Sequence, residues 1–203
     1  MFTRLFTAAV MLVLLALAPT HANAGGEPRT HDGFFLRLSA GSGGANASAD
    51  TPGGSLELEG TGSGDVNIAI GGAVKPNLIL HGTLWGWLIS DPDATGPFGP
   101  GTLVGDVDLS AFGGGLTYYF MPVNIYLSGS AGFGTMTVDS GAIQGETDSG
   151  FVTDLTLGKE WWVGGSWGLG VAGGFGYHSI PDGGIDADWT GTSWAVRFTA
   201  TLN

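Results

Sequence analysis

Residues 167–178 read WGLGVAGGFGYH. Trp167, Leu169, Val171, Phe175 and Tyr177 alternate with Gly168, Gly170, Ala172, Gly174 and Gly176. A period of two puts alternate residues on opposite faces of a strand. One face therefore carries the large apolar groups, and the other carries almost no side chain. A strand of a soluble sandwich has large apolar groups inside and polar groups outside. Here the pattern is inverted: the bulky face suits an apolar surrounding, and the small face suits a tightly curved, narrow interior.

The same period recurs along the chain and predicts seven more strands. The first, about 33–42, sets Phe34, Leu36, Leu38 and Ala40 against Phe35, Arg37, Ser39 and Gly41. The second, about 65–74, sets Val66, Ile68, Ile70 and Val74 against Asn67, Ala69, Gly71 and Ala73. The third, about 77–90, has apolar residues on both faces, so its orientation stays open. The fourth, about 107–120, opposes Phe112, Leu116, Tyr118 and Phe120 to Gly113, Gly115 and Thr117. The fifth, about 124–137, opposes Ile125, Leu127, Ala131 and Phe133 to Ser128, Ser130, Gly132 and Gly134. The sixth, about 150–161, opposes Leu155 and Leu157 to Asp154, Thr156 and Glu160. The eighth, about 192–202, opposes Trp194, Val196, Phe198, Ala200 and Leu202 to Ser193, Ala195, Arg197, Thr199 and Thr201.

The chain opens MFTRLFTAAVMLVLLALAPTHANA: one Arg, an apolar run and a small-x-small ending at Ala24. This is the pattern of a secretory signal peptide over 1–24. No later apolar run approaches the ~20 residues that a membrane-spanning helix needs. Cysteine is absent, so no disulfide supports the exported fold. Only 12% of residues are charged, and mean hydropathy is positive at +0.24. In lipid every backbone polar group needs an internal partner, which leaves helices and closed barrels. The fold class expected is therefore all-β: an eight-stranded antiparallel up-and-down transmembrane β-barrel over 33–203, after a short periplasmic segment at 25–32.

Connections and charge support this reading. Lys75-Pro76-Asn77, Met121-Pro122-Val123-Asn124 and Val163-Gly164-Gly165-Ser166 are short turns. The stretches 43–64, 91–106, 138–149 and 179–191 are read as long loops. With the strand ends beside them they hold most of the 18 acids and no Lys or Arg. Arg29, Arg37, Lys75, Lys159 and Arg197 all lie elsewhere. The two rims thus face different compartments. The net charge of −12 argues against nucleic acid as a partner.

Aromatic residues cluster at both predicted strand ends, as they do at bilayer interfaces. Trp161, Trp162, Trp167, Tyr118, Tyr119, Phe120, Tyr126 and Phe34 are expected in a periplasmic girdle. Trp85, Trp87, Phe151, Tyr177 and Trp194 are expected in an outer one. Lys159 is expected to snorkel to the headgroups if it faces lipid.

On these features residues 33–203 resemble the small outer-membrane barrels of the OmpX, OmpW and OmpA-membrane-domain type. The segments HDGFFLRLSAG (31–41) and KEWWVGGSWGLG (159–170) look like segments of such barrels. The ending FTATLN departs from the terminal aromatic residue often seen there; Phe198 stands five residues from the end. The resemblance implies the outer membrane of a Gram-negative bacterium. It also implies assembly by the barrel-assembly machinery, and internal ion pairs that plug or gate the lumen.

Arg37 and Arg197 fall on the inward faces of the first and last strands, which must pair to close the barrel. Two arginines in a narrow lumen call for carboxylate partners. Glu160 and Asp154 face inward from the sixth strand, and Glu160 is the first candidate. The acid-x-acid pairs Glu57/Glu59, Asp91/Asp93, Asp106/Asp108 and Asp186/Asp188 could bind Ca²⁺ or Mg²⁺ or bridge to lipopolysaccharide; otherwise they form a solvated acidic rim. Apart from such ions no cofactor is expected. His178, Ser179 and Asp182 evoke a hydrolytic triad, but such a triad is a matter of geometry, not adjacency. His81 reads as a hydrogen-bonded lumen or interface residue. GTGSG at 60–64 reads as a flexible loop without the context of a phosphate loop.

The function expected is that of a monomeric, non-enzymatic structural or surface-interaction protein with a largely filled lumen. Its partners are outer-membrane lipid and lipopolysaccharide. The alternatives are a narrow cation-preferring channel for small solutes and a lipid-modifying enzyme of the outer membrane.

Overall fold

The computed structural model describes residues 29–141 and 144–203; the predicted signal peptide lies outside them. Eight long strands form the barrel: β1 (Phe34–Thr51), β2 (Gly54–Lys75), β3 (Leu78–Ser90), β6 (Asp106–Phe120), β7 (Ile125–Asp139), β9 (Gly150–Trp162), β10 (Trp167–Asp182) and β11 (Ala187–Leu202). Three short strands decorate it: β4 (Asp93–Gly96), β5 (Gly99–Thr102) and β8 (Gln144–Glu146). Each long strand pairs antiparallel with the next, and β1 pairs with β11, closing the barrel. No open edge is left within the closed wall, which a sheet in lipid requires.

The inversion seen in 167–178 holds around the wall. Leu84, Phe112, Phe133, Phe175 and Val196 point outward and are each more than half exposed, and Phe198 is 75% exposed. Residues of the opposite parity are small or polar and buried: Ser39, Asn67, Thr83, Thr117, Ser128, Thr156 and Thr199. The strands come close where the inner face is glycine. A Cβ on Gly132 would lie 2.0 Å from the Phe112 carbonyl oxygen, so no other residue fits there without moving backbone. The short turns need left-handed residues, and Asn77 (φ 65°) and Asn124 (φ 53°) supply them.

The long loops expected from the sequence are mostly strand. Segment 43–64 is a continuous hairpin that turns at Pro52-Gly53, so β1 and β2 run far beyond the predicted ends at 42 and 65. Segment 91–106 holds the β4–β5 hairpin, with β4 paired to β2. Segment 138–149 holds β8, paired to β7, and β10 and β11 continue through most of 179–191. The physical reason is a change of surrounding. Above the apolar belt the outside of the sheet meets water, so the ordinary pattern returns, with apolar residues in and acids out. Ala45, Ala47, Ala49, Leu56, Leu58, Ile89, Val107, Met136, Ile180 and Trp189 pack into an upper core.

Gly62 joins the two patterns on β2. It is an extra residue: Gly43 faces Ser63 and Gly44 faces Thr61. Its φ of 77° is the left-handed value that glycine tolerates in a bulge. Below it the odd residues Ser63, Asp65 and Asn67 face in. Above it the even residues Leu56 and Leu58 face in, while Glu57 and Glu59 are exposed. The GTGSG run is therefore a register device within a strand, not a flexible loop.

β3 takes one clear orientation. Ile79, His81, Thr83, Trp85, Trp87 and Ile89 are buried, while Leu80 and Leu84 are exposed. This removes Trp85 and Trp87 from the outer girdle, where Phe151, Tyr177 and Trp194 remain exposed. In the lower girdle, Phe34, Tyr118, Phe120 and Trp161 are exposed, and Trp167 has outward parity. Tyr119 and Tyr126 instead point inward and are fully buried, and Trp162 has inward parity. Clusters such as Tyr118-Tyr119-Phe120 and Trp161-Trp162 straddle both faces, because consecutive residues in a strand cannot share one.

Candidate functional site: a lumen filled in three layers beneath an acidic crown

The lowest layer is aromatic. Phe35, Ala69, Ile79, Tyr119, Tyr126 and Ala172 fill it. Arg37 enters this layer beneath Ser128, to whose hydroxyl it donates at 2.9 Å. Its guanidinium lies 4.6 Å from the Tyr126 ring centroid and 5.6 Å from that of Phe35. Arg37 thus rests on π faces and a hydroxyl, and among the described residues no carboxylate lies within salt-bridge distance of it. A chain of short contacts continues from Ser128 to Thr117 (2.8 Å) and from Thr117 to His81 Nε2 (3.0 Å).

Glu160 also lies in the lower lumen, but not opposite an arginine. Its carboxylate accepts from the Thr201 hydroxyl at 2.6 Å and from Tyr119 at 3.4 Å. The expected Arg37–Arg197–Glu160 arrangement is therefore replaced by a different pairing. Arg197 pairs across the strands with Gly41, four residues above Arg37 on β1, so the two arginines sit at different heights.

The middle layer is a buried ion triad. Arg197 Nε donates to Asp65 Oδ1 at 2.5 Å, and Nη2 donates to Asp154 Oδ2 at 2.7 Å. Further bonds run from Nη2 to Asp65 Oδ2 (2.9 Å), from Nη1 to Asp154 Oδ1 (3.0 Å) and from Nη1 to Thr156 (2.7 Å). Asn67 and Thr156 donate to Asp154 as well. Bidentate contacts to both carboxylates use the planar fork of the guanidinium fully. Asp65 was missed as a lumen residue because it borders an acid-rich stretch. Its parity with Asn67 and Ala69 carried the correct signal.

The upper layer is the upper core, whose Trp85 and Trp87 stand over the triad. His178 is buried there, 6.0 Å from the Trp87 ring. Ser179 lies on the opposite face of β10, and Asp182 accepts from Trp189 Nε1 and the Gly184 N–H. The three residues do not form a triad. A cavity of ≈ 10 Å³, about one water, lies between His178, Trp87 and the Asp65–Arg197–Asp154 cluster.

The acids form a crown on the outside of the strands above the apolar belt. Asp91 (φ 50°) accepts from the Gly105 N–H at 2.8 Å, and Asp106 accepts from Ser90 at 2.6 Å. Partial burial raises the Asp108 carboxyl above the usual carboxylate range. Asp106 and Glu146 add to the rise, and the Ser110 hydroxyl opposes it. Asp93 pairs with Glu59 across β4 and β2. Asp186 (φ 53°) sits in the turn before β11, and Asp188 is exposed opposite Pro181. Among the described residues no three His, Asp or Glu side chains come together in a form that could hold a metal ion. At the opposite rim Lys159 has outward parity, lies 5.4 Å from the Trp161 ring centroid and donates to the Val123 carbonyl.

A closed eight-stranded antiparallel barrel with an apolar exterior and a filled interior is the fold of the small outer-membrane β-barrels. Among solved structures the chain is similar to Neisserial surface protein A, with a TM-score of 0.54 and 16% identity. That match covers 84% of this chain and 97% of the other. It is also similar to outer membrane protein OprG from Pseudomonas aeruginosa (TM-score 0.49, 11% identity, covering 88% and 100%). A third likeness is to Ail, the attachment invasion locus protein of Yersinia pestis (TM-score 0.45, 13% identity, covering 83% and 99%). No family model and no curated protein matches the sequence. At such identities the likeness is one of fold, and one fold hosts many activities.

Proposed function

We propose that this chain is a monomeric integral protein of the Gram-negative outer membrane that acts through its extracellular surface and does not conduct solutes. The observation that carries the reading is the lumen. Side chains fill it from the Tyr119–Tyr126 layer, through the Arg197 triad, to Trp85, Trp87 and the upper core. A water-filled pore leaves a continuous polar path, whereas an eight-stranded barrel is just wide enough for side chains to fill. The exposed Leu, Val and Phe belt supports a bilayer as the surrounding, since apolar patches of that extent are rare on soluble monomers.

A non-enzymatic role is favoured by the separation of His178, Ser179 and Asp182. The crown carries the surface role. It would meet lipopolysaccharide phosphates only through bridging divalent cations, because like charges repel. The direct test is planar-bilayer conductance of refolded protein whose insertion has been verified. Silence is expected. Discrete cation-selective steps would overturn the reading and restore the channel.

A further inference from the structure

We propose that residues 29–33 are a strap that plugs the periplasmic mouth of the barrel and keeps water off its charged lower lumen. The segment touches every short turn. The His31 N–H donates to Asn77 Oδ1 at 3.1 Å, and the His31 carbonyl accepts the Asn77 N–H at 2.8 Å. His31 Nε2 meets Asn124 Oδ1 at 2.9 Å, so Nε2 carries the proton. Arg29 donates to the Gly164 carbonyl at 2.7 Å and lies 5.3 Å from the centroid of the Trp162 ring. These bonds join residues 46, 93 and 135 positions apart in the chain.

The side chain of His31 closes the opening. It is fully buried, although it belongs to a segment outside the barrel wall. Its ring stacks flat on Tyr119, with centroids 3.5 Å apart and planes 12° from parallel, and tilts against Trp162 at 5.0 Å. The same Tyr119 donates to Glu160. His31 is thus the cover over the layer that holds Glu160, Thr201 and Arg37.

The turn residues support a purpose beyond turning. Asn77 and Asn124 both adopt positive φ, which glycine would meet with less strain. Glycine has no amide oxygen, and in both turns that oxygen holds His31. The asparagines therefore serve the backbone and the strap together, and replacing both with glycine removes two of the strap's bonds while sparing the turns and the Asn77 N–H bond to the His31 carbonyl.

The test uses two readouts. In wild-type protein the His31 and Asn77 amides should exchange with deuterium slowly, like barrel amides. Exchange of the His31 amide at the rate of an open chain would overturn the proposal. The chain has no native cysteine, so Thr201→Cys provides a single buried reporter beside Glu160. Its reaction with a charged thiol reagent should be slow in the parent. It should rise at least about tenfold with Asn124→Gly and Asn77→Gly together, in protein that keeps its heat-modifiable gel mobility. An unchanged labelling rate in such folded protein would equally overturn the proposal.

Discussion

Replacing Arg197 with methionine is expected to cost about 3–5 kcal/mol of stability, the range for breaking a buried ion pair from one side. The lumen holds Asp65, Asp154 and Glu160 against Arg37 and Arg197, all at most 4% exposed. Without Arg197, Asp65 and Asp154 lose four charge-assisted bonds and face each other in a space that admits about one water. The cost is mainly that of two desolvated, unpaired carboxylates. A companion variant isolates this term. Arg197→Met with Asp65→Asn and Asp154→Asn removes all three charges, and Asn67 and Thr156, which donate to Asp154, remain beside it as partners. It should recover to within about 1–2 kcal/mol of the parent, because a buried ion cluster as a whole contributes little net stability. Urea unfolding in lipid vesicles, followed by tryptophan fluorescence, measures both variants. A loss below about 1 kcal/mol for Arg197→Met, or a triple variant no better than the single one, would refute the reasoning.

Arg37→Met should cost less than Arg197→Met, about 1–2 kcal/mol, because it strands no carboxylate and loses one hydroxyl bond and two ring contacts; the same unfolding assay ranks the two. Gly132→Ala should destabilise by about 1–3 kcal/mol, since its Cβ would strike the Phe112 carbonyl. Gly129→Ala, whose Cβ meets nothing within 4 Å, should be neutral or slightly stabilising, and equal midpoints for the two would contradict the close-approach argument. Gly62→Ala should cost about 1–2 kcal/mol, because its φ of 77° is left-handed and strains a residue that carries a Cβ. The same unfolding assay measures it, and a midpoint equal to the parent's would contradict a glycine-dependent bulge at this position.

The barrel wall was legible in the sequence wherever a strand crosses the belt. WGLGVAGGFGYH states its geometry outright: period two, bulk on one face, glycine on the other, in a chain with no apolar run long enough for a second helix. The inward parity of Arg37, Arg197, Asp154 and Glu160 followed from the same count. Above the belt the count misled, because acids facing water on a strand look like acids in a loop. Asp65 was lost at that border, and with it one of the two carboxylate partners of Arg197.

What sequence by itself determined, then, is which residues share a face, since that depends only on the alternation of an extended backbone. Which face of β3 points inward, which carboxylate meets which arginine, and that His31 lies over Tyr119 were decided by tertiary structure alone. Strand stagger around a closed barrel sets the height of every lumen side chain. Arg197 meets Asp65 and Asp154 because closure brings residues 132 and 43 positions away to its level, and no spacing along the chain encodes that distance.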